Sequence, residues 1–333
     1  GGNCHTYLDK KKNILIHSYG PHIFHTSDEQ VWKYMNQFGK FNNFINRIKI
    51  LNTKGTFSMP INLLTINQFF KKNLNPSQAK KFIKSIKENI SNPKNFEEKA
   101  LSLIGKKIYK NFFYGYTSKQ WGVSPKKIPV SVLKRLPMRF DYNDNYYNHK
   151  YQGIPESGYT EIIKKIIKKK SIKLLLSTPY NKDLEKIYDQ IIFTGPIDEY
   201  FNYEFGRLNY RTVYWKKKTF SSNDVQGNAL INYNDKKIPY TRTIEYQHFN
   251  PEKKNKGSVL FYEYSKKTGV NDIPYYPVRF KSDKIKLDLY QKKADKLKNV
   301  HFIGRLGTYR YLDMHVVIKE SMDFFQKYKK IFI

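Results

Sequence analysis

The sequence predicts an α/β fold: a discontinuous nucleotide-type domain interrupted by a helical insert and an antiparallel β-sheet insert. Three observations predict it. Short apolar runs that lead into glycine-containing turns stand near the start, middle and end of the chain, at 14–17, 190–193 and 300–304. Apolar residues recur at helical spacing over 76–90 and 94–113. Apolar and polar residues alternate over 211–264, as in strands with one buried face.

Taken in order, 14–17 reads as a short strand running into the Gly-Pro loop SYGPHIFHT, and 28–38 as a helix. Residues 47–60 read as a hairpin that turns at Asn-Thr-Lys-Gly. Asn75 followed by Pro76 marks a helix start, a capping side chain and then a residue whose lost N–H is not needed in the first turn. The helical part ends in GYTSKQWG at 115–122. Residues 129–155, rich in Pro, Asn, Asp, Tyr and Arg, read as a structured loop long enough for a lid. Next come a helix over 158–170, a strand over 172–176, and a buried strand over 190–193 followed by Thr-Gly-Pro. Ser282 reads as the N-cap of a helix that runs through Leu297. A buried strand over 300–304 ends in Gly-Arg, and Asp313 caps a last helix to about Tyr328. The expected domains are an α/β domain from 1–40, 171–205 and 296–333, a helical domain over 61–135, and a sheet domain with its connections from 41–60, 136–170 and 206–295.

The 333 residues carry a formal net charge of +33. Of 61 basic residues only nine are arginine: Arg47, Arg135, Arg139, Arg207, Arg211, Arg242, Arg279, Arg305 and Arg310. Those nine are candidates for positions that need a flat, forked donor. The lysines spread along the whole chain, as a solvated surface that attracts anions does, rather than forming a nucleic-acid stripe. Cys4 is the only cysteine, so one chain can build neither a disulfide framework nor a Cys-based zinc site, which fits a reducing cytoplasm. No apolar run approaches the roughly 20 residues of a membrane span. His22 and His25 stand three apart with no second ligand cluster, so no metal is expected. There is no P-loop, no Ser-His-Asp logic and no paired-carboxylate signature.

Three blocks carry the chemistry. VHFIGRLGTYRYLDM joins a buried strand to a helix whose N-terminus suits a phosphate or the polar edge of a reduced flavin; it also suits an ordinary strand–helix connection. FFYGYTSKQWG followed by KRLPMR offers Tyr116 and Trp121 as flat surfaces and Arg135 as a bidentate phosphate grip. NYNDKKIPYTRTIEYQHF places Arg242 in a strand of the predicted sheet beside Tyr240.

Together with GGN, YGPHIFHT, MPINLLTINQFF, LKRLPMRFDYNDNYYN, YQGIPESGYT, FTGPIDEYF, IPYYPVRF and IGRLGTYRYLDMHVVI, these blocks resemble bacterial UDP-galactopyranose mutases from Gly1 almost to the C-terminus. The resemblance implies a discontinuous Rossmann-like FAD-binding domain. It implies an isomerase that interconverts UDP-galactopyranose and UDP-galactofuranose for cell-surface polysaccharides. Reduced FAD is the expected cofactor, its N5 acting as nucleophile on the anomeric carbon. Arg135, on the lid, and Arg242 would clamp the pyrophosphate, with His22 facing the flavin. Phe112, Phe113, Tyr116, Trp121, Tyr146, Asn232, Tyr276, Tyr311 and Asp313 would contact substrate. Asn3, Gly20, Pro21, His22, Gly195, Gly304, Arg305, Leu312, Asp313 and Met314 would contact FAD. The expected partner is UDP-galactose, not nucleic acid, and a homodimer is left open. The family's strand–GxGxxG–helix unit is not found, so the expectation is an N-terminally truncated chain that binds FAD weakly or not at all. Two other readings remain. An amine-oxidase-type FAD oxidoreductase would have no use for two diphosphate clamps. A basic anion- or nucleic-acid-binding protein would show steep salt dependence and no preference for UDP.

Overall fold

The computed structural model describes residues 1–133 and 138–332. In chain order the strands are β1 (Thr6–Asp9), β2 (Ile14–His17), β3 (Phe24–Thr26), β4 (Ile48–Asn52), β5 (Gly55–Met59), β6 (Tyr151–Gly153), β7 (Ile191–Phe193), β8 (Tyr210–Phe220), β9 (Leu230–Tyr233), β10 (Arg242–Glu245), β11 (Ser258–Lys267), β12 (Tyr276–Pro277) and β13 (Val300–Phe302). The α-helices are α1 (Glu29–Asn36), α2 (Leu63–Phe70), α3 (Pro76–Ile86), α4 (Phe96–Ile108), α5 (Gly115–Trp121), α6 (Tyr159–Ile167), α7 (Ile197–Tyr200), α8 (Lys281–Ala294), α9 (Gly304–Gly307) and α10 (Met314–Phe332). A π-helical stretch, Tyr109–Tyr114, joins α4 to α5. The fold is α/β. The chain forms two compact units, where the sequence suggests three domains.

The first unit comprises Gly1–Ser27, Asn36–Ile163 and Val213–Lys266. Its sheet runs in the order β8-β11-β10-β9-β4-β5, with β4 parallel to β9. The hairpin of β4 and β5 closes with Asn52 opposite Gly55, at the predicted turn. Asn75 caps α3 as expected, in a reciprocal box with Gln78 at 2.9 Å each way. The short helices α2, α3 and α4 each have one apolar stripe and must bury it. They bury it in the same core as the sheet: Leu63, Ile66, Phe69, Ala79, Ile83, Ile104 and Ile108 share one cluster with Ile48, Ile50, Leu230, Ile244 and Phe261. That shared core is why the helical and sheet segments are not separate domains. Strand β1 is not predicted by the sequence; TYLD is too short to show a period. It forms by pairing with β2 across a tight turn in which Asn13 takes a left-handed conformation (φ 57).

Glu245, at the end of β10, is 0% exposed yet ionised. Burial opposes its charge, but hydrogen bonds from His248, Ser258, Gln247 and the Gln226 amide outweigh it and hold the carboxyl at about 2. His248 sits 3.2 Å from Glu245 and 3.3 Å from Asp224. Burial opposes the imidazolium, while these two carboxylates raise its pKa above the ordinary value. The carboxyl's contribution is present above its ordinary range and is lost as pH falls towards 2. The imidazole's is present below its ordinary 6.5 and is lost as pH rises through its raised folded value. His248→Gln is therefore expected to cost about 1 kcal/mol at pH 6 and less at pH 8.5, read from paired denaturant melts.

The second unit comprises Asp28–Met35, Lys164–Thr212 and Lys267–Ile333. Its centre is the parallel pair β7 and β13, with Phe193 opposite Phe302. An aromatic core of Phe193, Tyr200, Phe201, Tyr210, Tyr290 and Tyr309 packs there with Val300. Strand β12 pairs with the first residues of β8, Tyr276 opposite Arg211.

Three expectations fail in this unit. Residues 172–176 are not a strand: none of the described strands pairs with them. Ile172, Leu174, Leu175 and Leu176 are 44, 56, 52 and 76% exposed. An apolar run without a ladder partner has no backbone reason to extend. β7 is only half-buried, since Ile192 is 45% exposed. Ser282 is not the cap of α8, which begins one residue earlier at Lys281. Asp283 is 0% exposed and accepts the Phe280 N–H at 2.9 Å and the Asn209 side chain at 2.7 Å. A buried carboxylate is the stronger acceptor for a first-turn donor. The last helix follows the expectation: α10 starts directly after Asp313, whose carbonyl accepts from the Val316 and Val317 amides.

Candidate active site

In the first unit the loop after β2 is fixed atom by atom. His17 is 1% exposed, and burial pulls its imidazole down to about 3. The ring is therefore neutral. Its Nδ1 accepts the His22 N–H at 3.0 Å, which leaves the ring proton on Nε2. Tyr246 donates to the His17 carbonyl at 2.8 Å and Tyr159 to the His22 carbonyl at 2.9 Å. The His22 Nδ1 lies 2.8 Å from the Gly20 carbonyl, so that nitrogen is the donor. Gly20 has φ +88, and a Cβ there would stand 3.2 Å from Trp215 and 3.5 Å from Glu263. Only glycine lets the YGPH turn lie this close to both side chains.

Glu263 connects that turn to Arg242. On β10, Arg242 has Asn232 of β9 on one side and Glu263 of β11 on the other. Its Nη2 donates to Glu263 at 2.8 Å, and Trp215 donates to the same carboxylate oxygen at 3.2 Å. Glu263 is 1% exposed, while the Arg242 side chain keeps 20% of its surface. The carboxylate thus holds one edge of the guanidinium and fixes its direction. The Asn232 Oδ1 beside it is buried and has no hydrogen-bond partner among the described residues. A buried acceptor in that condition is waiting for a donor.

The aromatic segment of this unit lies on the π-helical stretch and α5. Phe113, Tyr116 and Trp121 are half-buried there. Phe112 is a correction: it is 2% exposed, with Phe57 and Phe69 edge-on at 5.3 and 5.0 Å, so it is a core residue and offers no ligand surface. Arg135 lies outside the described residues. After it, residues 138–148 form a fixed scaffold. Asp141, Asn143 and Asn145 each accept the amide two residues on, and Arg139 donates to the Asn143 and Asn145 carbonyls and to the Asn148 side chain. Tyr146 is held through its amide on the Asn46 carbonyl at 2.8 Å.

In the second unit the parallel strands lead to Gly195 and Gly304, two residues past each strand end. Gly304 has φ +76 and open space where a Cβ would stand. Arg305 donates to the Leu312 carbonyl through Nε and Nη2 and to the Tyr275 carbonyl through Nη1. Its guanidinium stacks 4.6 Å from the Tyr311 ring, which is itself stacked on Tyr276 at 5.5 Å. Arg305 therefore braces Tyr276, Tyr311 and the Leu312–Asp313 backbone from behind. Leu312 is buried; Asp313 and Tyr311 are exposed and Met314 half-buried. Asn3 is exposed in the first unit.

The parallel strand pair with its following glycines, and the arginine–asparagine–glutamate row under an aromatic helix, have the components of a nucleotide-binding protein. A family model described as UDP-galactopyranose mutase matches residues 111–311, more than half of the chain. The chain belongs to the UDP-galactopyranose mutase family. Members of this family are flavin-dependent mutases, a class of isomerase. A second model, an NAD(P)-binding Rossmann-like domain, matches residues 1–38. The chain is 46% identical to dTDP-fucopyranose mutase of Escherichia coli, covering 99% of this chain and 89% of that protein. It is 45% identical to the "Probable UDP-galactopyranose mutase" of Klebsiella pneumoniae, covering 97% and 84%. Identity to UDP-galactopyranose mutase of Mycoplasma genitalium is 30%, again over 97% and 84%. A crystal structure of reduced UDP-galactopyranose mutase shares the fold at a TM-score of 0.73 and 14% identity, over 97% of this chain and 86% of that one. Among the described residues, no helix is long and apolar enough to cross a membrane.

Four residues that hold the candidate site in place are not singled out by the sequence: Glu263, Trp215, Tyr159 and Tyr246. Glu263 left a signal, an acid inside the apolar alternation VLFYEYS, since a carboxylate enters a buried strand face only when paired. The others are aromatics in a chain that is 16% aromatic, and nothing local marks them.

Proposed function

We propose that this chain is a UDP-galactopyranose mutase, interconverting UDP-galactopyranose and UDP-galactofuranose on reduced FAD. The observation that carries the reading is Arg242, a half-buried arginine aimed by a buried glutamate and set beside an unsatisfied Asn232 oxygen. A diphosphate fits such a guanidinium, because a forked cation matches phosphate oxygens in pairs. Arg135 is the proposed second clamp, with Tyr116 and Trp121 against the base and Tyr146, Tyr276 and Tyr311 on phosphate oxygens.

The residues fit a flavin. Open space at Gly304 beyond the parallel strands leaves room for a dinucleotide backbone to approach. The proposed flavin contacts are Asn3, Gly20, Pro21, His22, Gly195, Gly304, Arg305, Leu312, Asp313 and Met314. When bound and reduced, the flavin supplies the N5 nucleophile for the anomeric carbon. The chain's part is to hold the departing diphosphate. Arg242 counters the charge that gathers on the leaving oxygen, and its fixed direction keeps the diphosphate near the sugar until the bond re-forms. His22 is held with its Nδ1 on the Gly20 carbonyl, which fixes the face its ring would turn towards the flavin.

The E. coli relative favours a second substrate reading, dTDP-fucopyranose, since its identity equals that of the Klebsiella protein within one per cent. The two readings separate in one assay. With dithionite-reduced FAD, kcat/KM is compared for UDP-galactofuranose and dTDP-fucofuranose. The account expects the UDP sugar to be preferred; a reversed preference assigns the second reading.

A further inference from the structure

One lysine stands apart among the described residues. The Lys119 ammonium, on α5, donates to three backbone carbonyls: Asp235 at 2.9 Å, Ile238 at 2.9 Å and Tyr240 at 2.8 Å. All three lie in the loop between β9 and β10. A turn of this kind leaves carbonyls without ladder partners, and an ammonium has three donors to give. Burial pulls Lys119 down to about 8, and the Asp235 carboxylate acts against that. The three carbonyl dipoles also favour the charged form.

The same loop holds the helix at a second point. Asn234 is 7% exposed; its Oδ1 accepts the Gly115 and Tyr116 amides at 3.1 Å each, and its Nδ2 donates to the Lys110 carbonyl at 2.9 Å. Ser265 of β11 donates to the Gln120 carbonyl at 2.7 Å, near the far end of α5. The two ends of the loop are functional on the functional reading above. Asn232 precedes it, and Arg242 follows Thr241 at its close. Thr241 is itself fixed, its amide on the Glu263 carbonyl at 2.8 Å.

We propose that Lys119 and Asn234 form a latch that sets the distance between the base-reading helix, with Tyr116, and the phosphate-reading strand, with Arg242. Both are positioning residues; neither needs to touch substrate. A nucleoside diphosphate has a fixed span from base to pyrophosphate. A site that grips both ends binds well only if its own two ends are held at that span, because ordering them on binding would cost affinity. Lysine suits this position and arginine does not. Three carbonyls converge on one point, which a compact cation satisfies and a planar fork cannot.

The proposal rests on the diphosphate reading, and the experiment separates the two. UDP binding to the FAD-loaded protein is measured by calorimetry for the wild type and for Lys119→Met and Lys119→Arg, with flavin content and melting temperature recorded for each. The latch predicts that both variants keep flavin content, melt within a few degrees of the wild type, and bind UDP about tenfold more weakly, with the loss of kcat/KM residing in KM. Should Met or Arg not fold, Lys119→Gln, which retains an N–H donor for these carbonyls, carries the same comparison with a smaller loss. UDP affinity within twofold of the wild type in a folded variant overturns the latch. No UDP binding by the wild type overturns the functional reading and the latch with it.

Discussion

Arg242→Ala is expected to weaken UDP binding by about 10- to 100-fold, the loss of one charge-assisted phosphate contact, and to reduce turnover at least as much. It is also expected to destabilise the protein by about 3 kcal/mol, because the buried Glu263 loses its ion-pair partner. Glu263 is 1% exposed, so water cannot take over the role. The two effects separate in the double variant. Arg242→Ala with Glu263→Gln removes the unpaired acid, and stability should return towards the wild-type value while UDP affinity does not. Denaturant melts and calorimetry on the four proteins of that cycle check both halves. Unchanged UDP affinity in Arg242→Ala would reject the clamp.

Gly115→Ala is expected to be the more damaging substitution although it adds one methyl group. A Cβ at Gly115 would lie 1.6 Å from the Asn234 carbonyl oxygen, and backbone on both sides leaves little room to yield. The helix start must lift off the β9–β10 loop, which breaks both amide bonds to the Asn234 side chain. Overpacking of this kind costs about 3 kcal/mol or more. The expected result is a lowered melting temperature together with loss of UDP binding. A Gly115→Ala protein that binds UDP normally would show that the close approach of helix and loop is dispensable.

Much of the fold is legible in the sequence because its signals are local. Asn75-Pro76 starts a helix, Asn-Thr-Lys-Gly closes a hairpin, and Asp313 precedes the last helix, each through the chemistry of a few adjacent residues. What is not legible depends on distant partners. SIKLLLS has the composition of a strand and stays exposed because none of the described strands pairs with it. Ser282 has the chemistry of a cap and is displaced by Asp283, whose strength comes from burial beneath Asn209. Phe112 sits in a block of exposed-looking aromatics, and only the core shows that its ring is spent on Phe57 and Phe69. The site divides the same way. The scarcity of arginine points to Arg242, but the glutamate that aims it is visible only as an acid out of place in an apolar strand. Lys119 could not be found by composition, since one lysine among 52 carries no mark until its three carbonyls are seen.

The central claim is that this protein interconverts the two ring forms of a uridine-diphosphate galactose. Because weak FAD binding is expected, the most direct measurement supplies the purified chain with excess FAD and dithionite, records the flavin bound, and follows UDP-galactofuranose by chromatography. The account predicts conversion to UDP-galactopyranose that requires reduced flavin and is inhibited by UDP. A folded, flavin-loaded protein that leaves UDP-galactofuranose unchanged would contradict it.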